Sequence, residues 1–515
     1  MSTRTYRDAI EKLNSLQSNA ATLDTVRAAG SQRSEFAIPE MIEYLDRIGY
    51  SPKDLNRLNV VHVTGTKGKG STCAFTDSIL RHAVPSWKVG LYTSPHLIAV
   101  RERIRVNGDP VSEEDFAKFF FDVWDRLEGS ASKHLNARRS KPFYFKFVTL
   151  VAYHTFLSLG VDATILEVGV GGAYDSTNVV PKPIATGVTS LGLDHVGVLG
   201  NTLPKIAWHK GGIYKEGVPA FTVEQPVEAL EVLKERAETL KASTFTVLPH
   251  LPELANIKLG LKGAHQLQNA SLAVHLAQAL LLAKSPASDI HHLSSSPFRL
   301  SDTFIAGLEN ARWPGRCQQV VDPRRIPDRS SKTTWFLDGA HTVESLRALG
   351  EWHFSPGKRP QPVRILIFNC TSGRSGPVFL ETILSTMTSN LARHHNDHVL
   401  EFNPAYFDHV IFCTNVTYAD GHFKGDLTSL AMSDTEKHTL APQRELGNEW
   451  SKLVPSFPSQ NVHVLPSIEH ALRIVRGLEE AHTGTDVQVL VAGSLHLVGG
   501  VIEVAGLAEV ALGSG

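Results

Sequence analysis

Short apolar runs alternate with stretches of helical spacing along most of the chain. Residues 59–64 (NVVHVT) and 88–92 read as buried strands, with apolar positions at helical intervals across 71–82 between them. Residues 143–159 predict a long apolar helix, and residues 163–168 (ATILEV) and 184–190 predict two more buried strands. The chain opens on a helical pattern at Tyr6, Ile10, Leu13 and Leu16. After Trp313-Pro314-Gly315 a second alternation begins, with strands expected at 334–337, 364–368, 409–413 and 487–492. Strand and helix in this order predict parallel sheets covered by helices. The expected fold class is therefore α/β, in two domains: residues 1–311 with a mostly parallel sheet, and a smaller Rossmann-like domain over residues 312–515.

Some segments interrupt the pattern. Residues 129–141 are polar and basic, residues 285–297 are rich in serine and histidine, and residues 417–447 are polar with little periodicity. The first and last of these are expected to be surface insertions, the last a mobile loop. His394, His395 and His398 cluster, in a context that reads as a solvated helix end rather than a metal site. Residues 489–512 are apolar, but His496, Glu503 and Glu509 interrupt them, so a buried strand and helix are expected there instead of a membrane span. Asp8 and Glu11 in the first helix argue against a signal peptide or a basic presequence. The expected location is cytoplasmic, with a mitochondrial form as the alternative.

Composition narrows the function classes. A chain of 515 residues exceeds the size of one hydrophobic core, which supports two domains. The net charge of −1 gives no basis for nucleic-acid binding, so an anionic substrate must be held by locally placed cations. Cys73, Cys317, Cys370 and Cys413 are too scattered for a disulfide framework or a structural zinc site.

The strongest local signal is Gly65-Thr66-Lys67-Gly68-Lys69-Gly70-Ser71-Thr72, between a predicted strand and a predicted helix. Glycines let backbone N–H groups turn toward phosphate oxygens, and the helix N-terminus adds partial positive charge. Lys69 can reach the β and γ phosphates, while the hydroxyl of Ser71 or Thr72 caps the helix or approaches a metal. Val63 stands where the usual motif has its first glycine, so this is a shortened variant. Nucleotide binding follows; motor, GTPase, kinase and ligase remain open on this evidence.

Three further loops follow predicted strands: Thr93-Ser94-Pro95-His96-Leu97, Glu167-Val168-Gly169-Val170-Gly171-Gly172, and Leu193-Asp194-His195. Open α/β sheets bind ligands at such strand ends. A carboxylate, a serine and an imidazole there, joined by phosphate oxygens, make a suitable shell for Mg²⁺.

These motifs, with Trp313-Pro314-Gly315-Arg316, Asp338-Gly339-Ala340-His341 and Ser494-Leu495-His496-Leu497-Val498-Gly499-Gly500, occur in an order that resembles folylpolyglutamate synthases of the eukaryotic type, within the Mur ligase superfamily. The likeness spans nearly the whole chain apart from the insertions. It implies an ATP-dependent ligase acting on reduced folate and L-glutamate, with Mg²⁺ and a possible K⁺ requirement, working as a monomer. By position it implies ATP contacts at Gly68, Lys69, Gly70, Ser71 and Asn269, and from the second domain at Arg316 and Asp338. It implies metal ligands at Ser94, Glu167 and His195, and catalytic roles for Lys69, Lys210 and His341. Lys210 matches a lysine carbamylated in many relatives, where an unmodified lysine pairing with phosphate is the other reading; His209 replaces the usual Glu or Gln before it. Domain closure is expected to assemble the site, and Arg101, Arg103 and Arg105 are candidate contacts for polyglutamate carboxylates. Dihydrofolate synthase and a non-ligase ATPase are the rival readings.

Overall fold

The computed structural model describes residues 4–17, 36–130, 140–284, 300–324, 331–354, 362–370, 376–393, 406–420, 426 and 439–513. The chain divides into two compact units. The first comprises residues 1–96, 100–260 and 266–312; the second comprises residues 313–515 with two short excursions, 97–99 and 261–265.

The first unit is built on eight strands: β1 (Val60–Thr64), β2 (Val89–Tyr92), β3 (Ile104–Val106), β4 (Asp109–Pro110), β5 (Ala163–Glu167), β6 (Ala185–Val188), β7 (Pro219–Val223) and β8 (Thr244–Leu248). Their order across the sheet is β4-β3-β2-β5-β1-β6-β7-β8. β1 lies between β5 and β6 and is parallel to both, with Val61 paired to Ile165 on one side and Ala185 on the other. β3 pairs antiparallel with β2, and β4 antiparallel with β3, as an edge ribbon. The central strands are apolar on both faces because helices cover both, which is why they read as unbroken hydrophobic runs.

Helix Lys69–Ala83 begins directly after β1 and is buried from Ser71 through Leu80. It packs between helices Gln266–Lys284 and Asp302–Asn310. A second helical layer, Glu113–Ser130 and Tyr144–Leu159, joins its faces through Phe116, Phe120, Trp124, Phe147 and Phe156. Truncating a fully buried ring such as Phe120 to alanine would cost about 3–5 kcal/mol.

The second unit holds β9 (Gln318–Val321), β10 (Thr333–Leu337), β11 (Val363–Phe368), β12 (His409–Cys413), β13 (Val462–Leu465) and β14 (Val487–Ala492), in the order β13-β12-β11-β14-β10-β9. Only β9 is antiparallel. Leu97 and Ile98 belong to its core, beside Trp335, Val498 and Val501.

Two expectations change. The helix expected from residue 71 starts at Lys69, because Gly68 already supplies the turn out of the strand. The loop expected over 417–447 is helical at its end: helix Ala441–Leu453 carries Pro442 in its first turn and buries Leu446 and Trp450, a spacing that seats one face on the core. Most of the rest of that segment, like the His394, His395 and His398 cluster, residues 285–297 and most of 129–141, lies outside the described residues. Among the described residues no helix is long and apolar enough to cross a membrane.

Candidate active site

The phosphate loop turns between the end of β1 and helix Lys69–Ala83. Gly68 is the residue before the helix, at φ +88, and a Cβ there would run into the carboxamide of Asn269. Gly65 packs so closely on Thr189 that a side chain would overlap its hydroxyl. Both glycines are therefore required by space as well as by backbone angle. The loop is tied to the end of β6: Thr66 N and Lys67 N donate to Ser190 O at 2.9 and 3.1 Å, and Thr189 Oγ1 donates to Lys67 O at 2.6 Å. That leaves the first turn of the helix, residues 69–71, as the N–H-rich end.

Three lysines converge on this turn. Lys69 Nζ donates to Gly65 O at 2.9 Å and to Thr66 O at 3.3 Å, and Lys210 Nζ, from helix Leu203–Gly211, donates to Gly65 O at 2.7 Å. Lys67 Nζ pairs with Asp194 Oδ2 at 3.1 Å. Burial, followed by the repulsion of Lys69, pushes Lys210 well below the ordinary lysine range. Burial opposes the Asp194 carboxylate, but Lys67 and His195 hold it well below the usual range. Burial also lowers His195, aided by Lys69, Lys210 and Lys67 against the pull of Asp194. The imidazole is thus neutral near pH 7, with a lone pair to offer.

Asn269 donates through Nδ2 to Gln266 Oε1 at 2.9 Å, and Gln266 Nε2 reaches Ser71 Oγ at 3.3 Å. Helix Gln266–Lys284 is thereby fastened to the nucleotide turn. Neither Ser71 nor Thr72 caps helix Lys69–Ala83: the helix has no side-chain cap, and Thr72 Oγ1 is buried without a partner among the described residues.

At the end of β5, Glu167 is 4% exposed and accepts from Ser94 N at 2.9 Å, which joins two of the three expected metal ligands. The loop after it is pinned by Asp175, whose Oδ2 accepts from Gly169 N and Val170 N, both at 3.2 Å, while Oδ1 accepts from Thr177 N at 3.0 Å and Thr177 Oγ1 at 2.6 Å. Because Thr177 Oγ1 donates to Asp175, it must accept from His62 Nε2, 2.8 Å away. That fixes the His62 tautomer and leaves its buried Nδ1 without a partner among the described residues.

Of the three arginines after Ser94, Arg101 and Arg105 face backbone carbonyls and Arg103 faces side chains. Arg101 Nη1 donates to Val111 O, Arg105 donates to Glu102 O and Gly108 O, and Arg103 Nε donates to His96 Nδ1 at 2.9 Å with its guanidinium over Tyr144. Arg105 is 7% exposed, so its place is structural.

In the second unit, both oxygens of Asp338 are committed to backbone: Cys317 N donates to Oδ2 at 2.6 Å and Ala340 N to Oδ1 at 2.7 Å. Asp338 therefore shapes the turn that carries Arg316. His341 Nδ1 donates to Gly339 O at 2.8 Å. His265, to which the sequence assigned no role, senses Asp338, Arg316 and Glu351, with burial lowering it most. Gln266 and Thr189 are likewise members of the site framework to which the sequence assigned no role. Only Gln266 left a signal, three residues before Asn269 on one helix face.

No protein-family model matches the chain. The chain is 43% identical over 510 residues to the folylpolyglutamate synthase of Saccharomyces cerevisiae (strain FostersO), covering 97% of this chain and 87% of the yeast protein. This chain belongs to the folylpolyglutamate synthase family. Solved members share the fold. The Thermotoga maritima folylpolyglutamate synthase superposes with a TM-score of 0.61 at 24% identity, over 91% of this chain and 93% of that one. The Mycobacterium tuberculosis enzyme, solved with ADP and AMPPCP, gives 0.64 at 20% identity over 91% and 95%. A folylpolyglutamate synthase complex with AMPPCP and folate gives 0.61 at 20% over 97% and 99%.

The donors present suit Mg²⁺. Among the described residues no group of three His, Cys, Asp or Glu side chains is placed to hold a metal. A folylpolyglutamate synthase site of one buried carboxylate, one hydroxyl and one neutral imidazole would instead complete its shell with phosphate oxygens and water, which is how Mg²⁺ is usually held.

Proposed function

We infer that this chain is an ATP-dependent ligase that adds L-glutamate to the glutamate tail of a reduced folate. The observation that carries this reading is the convergence of Lys69 and Lys210 on Gly65 O at the N-terminus of helix Lys69–Ala83. Membership of the folylpolyglutamate synthase family supplies the substrates.

In the proposed reaction the terminal carboxylate of the folate tail attacks the γ-phosphorus of ATP, the bond to the β-phosphate oxygen breaks, and ADP leaves. The amine of the incoming glutamate attacks the acyl phosphate carbon, loses a proton and expels inorganic phosphate. Positioning and charge neutralisation do most of the work. Lys69 would hold the transferred phosphoryl group, with the N–H groups of Gly70 and Ser71 beside it. The Lys67–Asp194 pair keeps the loop in place, and the Asn269 carboxamide packs against Gly68. Ser94, Glu167 and His195 would hold Mg²⁺, which when bound neutralises phosphate charge. On the second unit, Asp338 would present Arg316, and His341 would serve the amine-transfer half.

Lys210 has the properties of a lysine that takes up CO₂ as a carbamate, since burial favours the neutral amine that reacts. The proposed compartment is the cytoplasm; four buried cysteines, none in a disulfide among the described residues, support a reducing one.

The test is labelled glutamate with ATP, offered tetrahydrofolate in one reaction and dihydropteroate in another. Incorporation into tetrahydrofolate dependent on both substrates is expected. Incorporation into dihydropteroate alone, or ATP hydrolysis indifferent to folate and glutamate, would overturn the reading.

A further inference from the structure

The outer side of helix Leu203–Gly211, the helix that sends Lys210 to the phosphate loop, carries a cluster that the proposed chemistry does not use. Trp208 is 38% exposed. Its ring stands 5.1 Å from that of His209 at an interplanar angle of 88°, and 6.2 Å from Tyr174, which is 5.9 Å from His209. Arg236, on helix Val227–Thr239, lays its guanidinium over Trp208 with its carbon 4.5 Å from the ring centroid.

That guanidinium is unsatisfied. Among the described residues Arg236 makes no hydrogen bond and no ion pair, and its Nε is buried without a partner. The adjacent Glu235 acts on it only through space. An arginine flattened on an indole presents its remaining N–H groups in a fixed fork that matches a carboxylate. A buried N–H left unpaired is costly, so a site of this kind gains by accepting an anion. His209 adds no competing charge, because burial, Lys210 and Arg236 together lower it.

We propose that Tyr174, Trp208, His209 and Arg236 form a carboxylate subsite for the γ-linked glutamate chain of the substrate, separate from the reacting centre. The proposal rests on the ligase reading above. Each round of that reaction adds one α-carboxylate that takes no part in the chemistry, so a lengthening substrate carries anions that need cations elsewhere. Arg236 offers one on the helix layer that carries Lys210, with aromatic walls to exclude water from the pair.

The experiment compares full-length enzyme with Arg236→Gln, Arg236→Lys and Trp208→Leu. Monoglutamyl and triglutamyl tetrahydrofolate are the substrates, and KM values for ATP and free glutamate are also measured. Arg236→Gln should raise KM for the triglutamate about tenfold and shorten the final product chains. KM for the monoglutamate, ATP and glutamate should stay within about twofold, and Arg236→Lys should recover part of the loss. An equal rise for both folates, no change for either, or a rise confined to ATP or free glutamate would overturn the subsite. Should Arg236→Gln fold poorly, Trp208→Leu, which removes the stacking platform and keeps the charge, must show the same chain-length dependence. Failure of the unsubstituted enzyme to add glutamate to the monoglutamate would sink the ligase reading instead.

Discussion

Lys69 and Lys210 donate to the same acceptor, the carbonyl of Gly65, at 2.9 and 2.7 Å. Burial, and after it the repulsion of the Lys69 ammonium on the same dipole, drives Lys210 toward its neutral form. An arriving phosphate would give both a stronger partner than a shared carbonyl.

Lys69→Ala should therefore abolish ATP-dependent glutamate incorporation, by about a thousandfold or more, on the scale of lost phosphoryl-transfer stabilisation. Lys69 is only half-buried, so thermal unfolding should move by no more than a few degrees. Near-normal incorporation by this variant, with labelled glutamate as the readout, would overturn the assignment of the loop.

Lys210 makes a separate prediction. Its neutral amine should combine with CO₂ to give a carbamate and a proton. Native mass spectrometry in bicarbonate should show one added CO₂ that disappears on acidification and is absent from Lys210→Gln. Activity should fall on bicarbonate depletion and return on its restoration. An unmodified mass with full activity in bicarbonate-free buffer would leave Lys210 as a simple phosphate contact.

Glu167→Gln keeps an oxygen that can accept from Ser94 N, so the turn at the end of β5 should survive. Turnover should drop by about a hundredfold or more and the Mg²⁺ requirement should rise, with unfolding changed by less than about 1 kcal/mol for a near-isosteric swap. Loss of the folded state in place of loss of turnover would make Glu167 a structural residue.

Lys215 gives a pH prediction. Burial lowers its pKa to about 8 from 10.5, and Nζ donates to Asn178 O at 3.0 Å. Between those values the unfolded chain binds more protons than the folded one, so the Lys215 contribution to stability rises with pH across that window. The penalty is fully present below pH 8 and relieved by about pH 10.5, and amounts to about 3 kcal/mol at about 1.4 kcal/mol per pH unit. Lys215→Met should be favoured over the parent most at pH 7, with the difference shrinking toward pH 10 in denaturant titrations. A difference constant with pH would refute the burial argument.

The α/β class and the strands at 409–413 and 487–492 were legible because buried parallel strands are short unbroken apolar runs, a signal that needs no partner. The helix Ala441–Leu453 was missed because its polar residues outnumber the few, such as Leu446 and Trp450, that meet the core. At the site, the residue types of Gly68, Lys69, Glu167 and Lys210 stood out, whereas the partners that hold them did not. Thr189 has no local mark that separates it from ordinary polar residues, and Gln266 is marked only by standing three residues before Asn269 on one helix face.

By itself the sequence determined the phosphate turn, the strand-helix alternation and the family, since glycine spacing, apolar periodicity and ordered motifs are properties of the chain read locally. Tertiary structure alone decided that Lys69 and Lys210 share one carbonyl, that Asp338 spends both oxygens on backbone N–H groups, and that Arg105 is buried among its own loop's carbonyls. It also laid Arg236 on Trp208 with no ion pair among the described residues. The reason is reach. The order β5-β1-β6 brings residues from distant segments to one strand end, and which cation meets which acceptor there depends on sheet order and helix packing, on which no short stretch of sequence carries information.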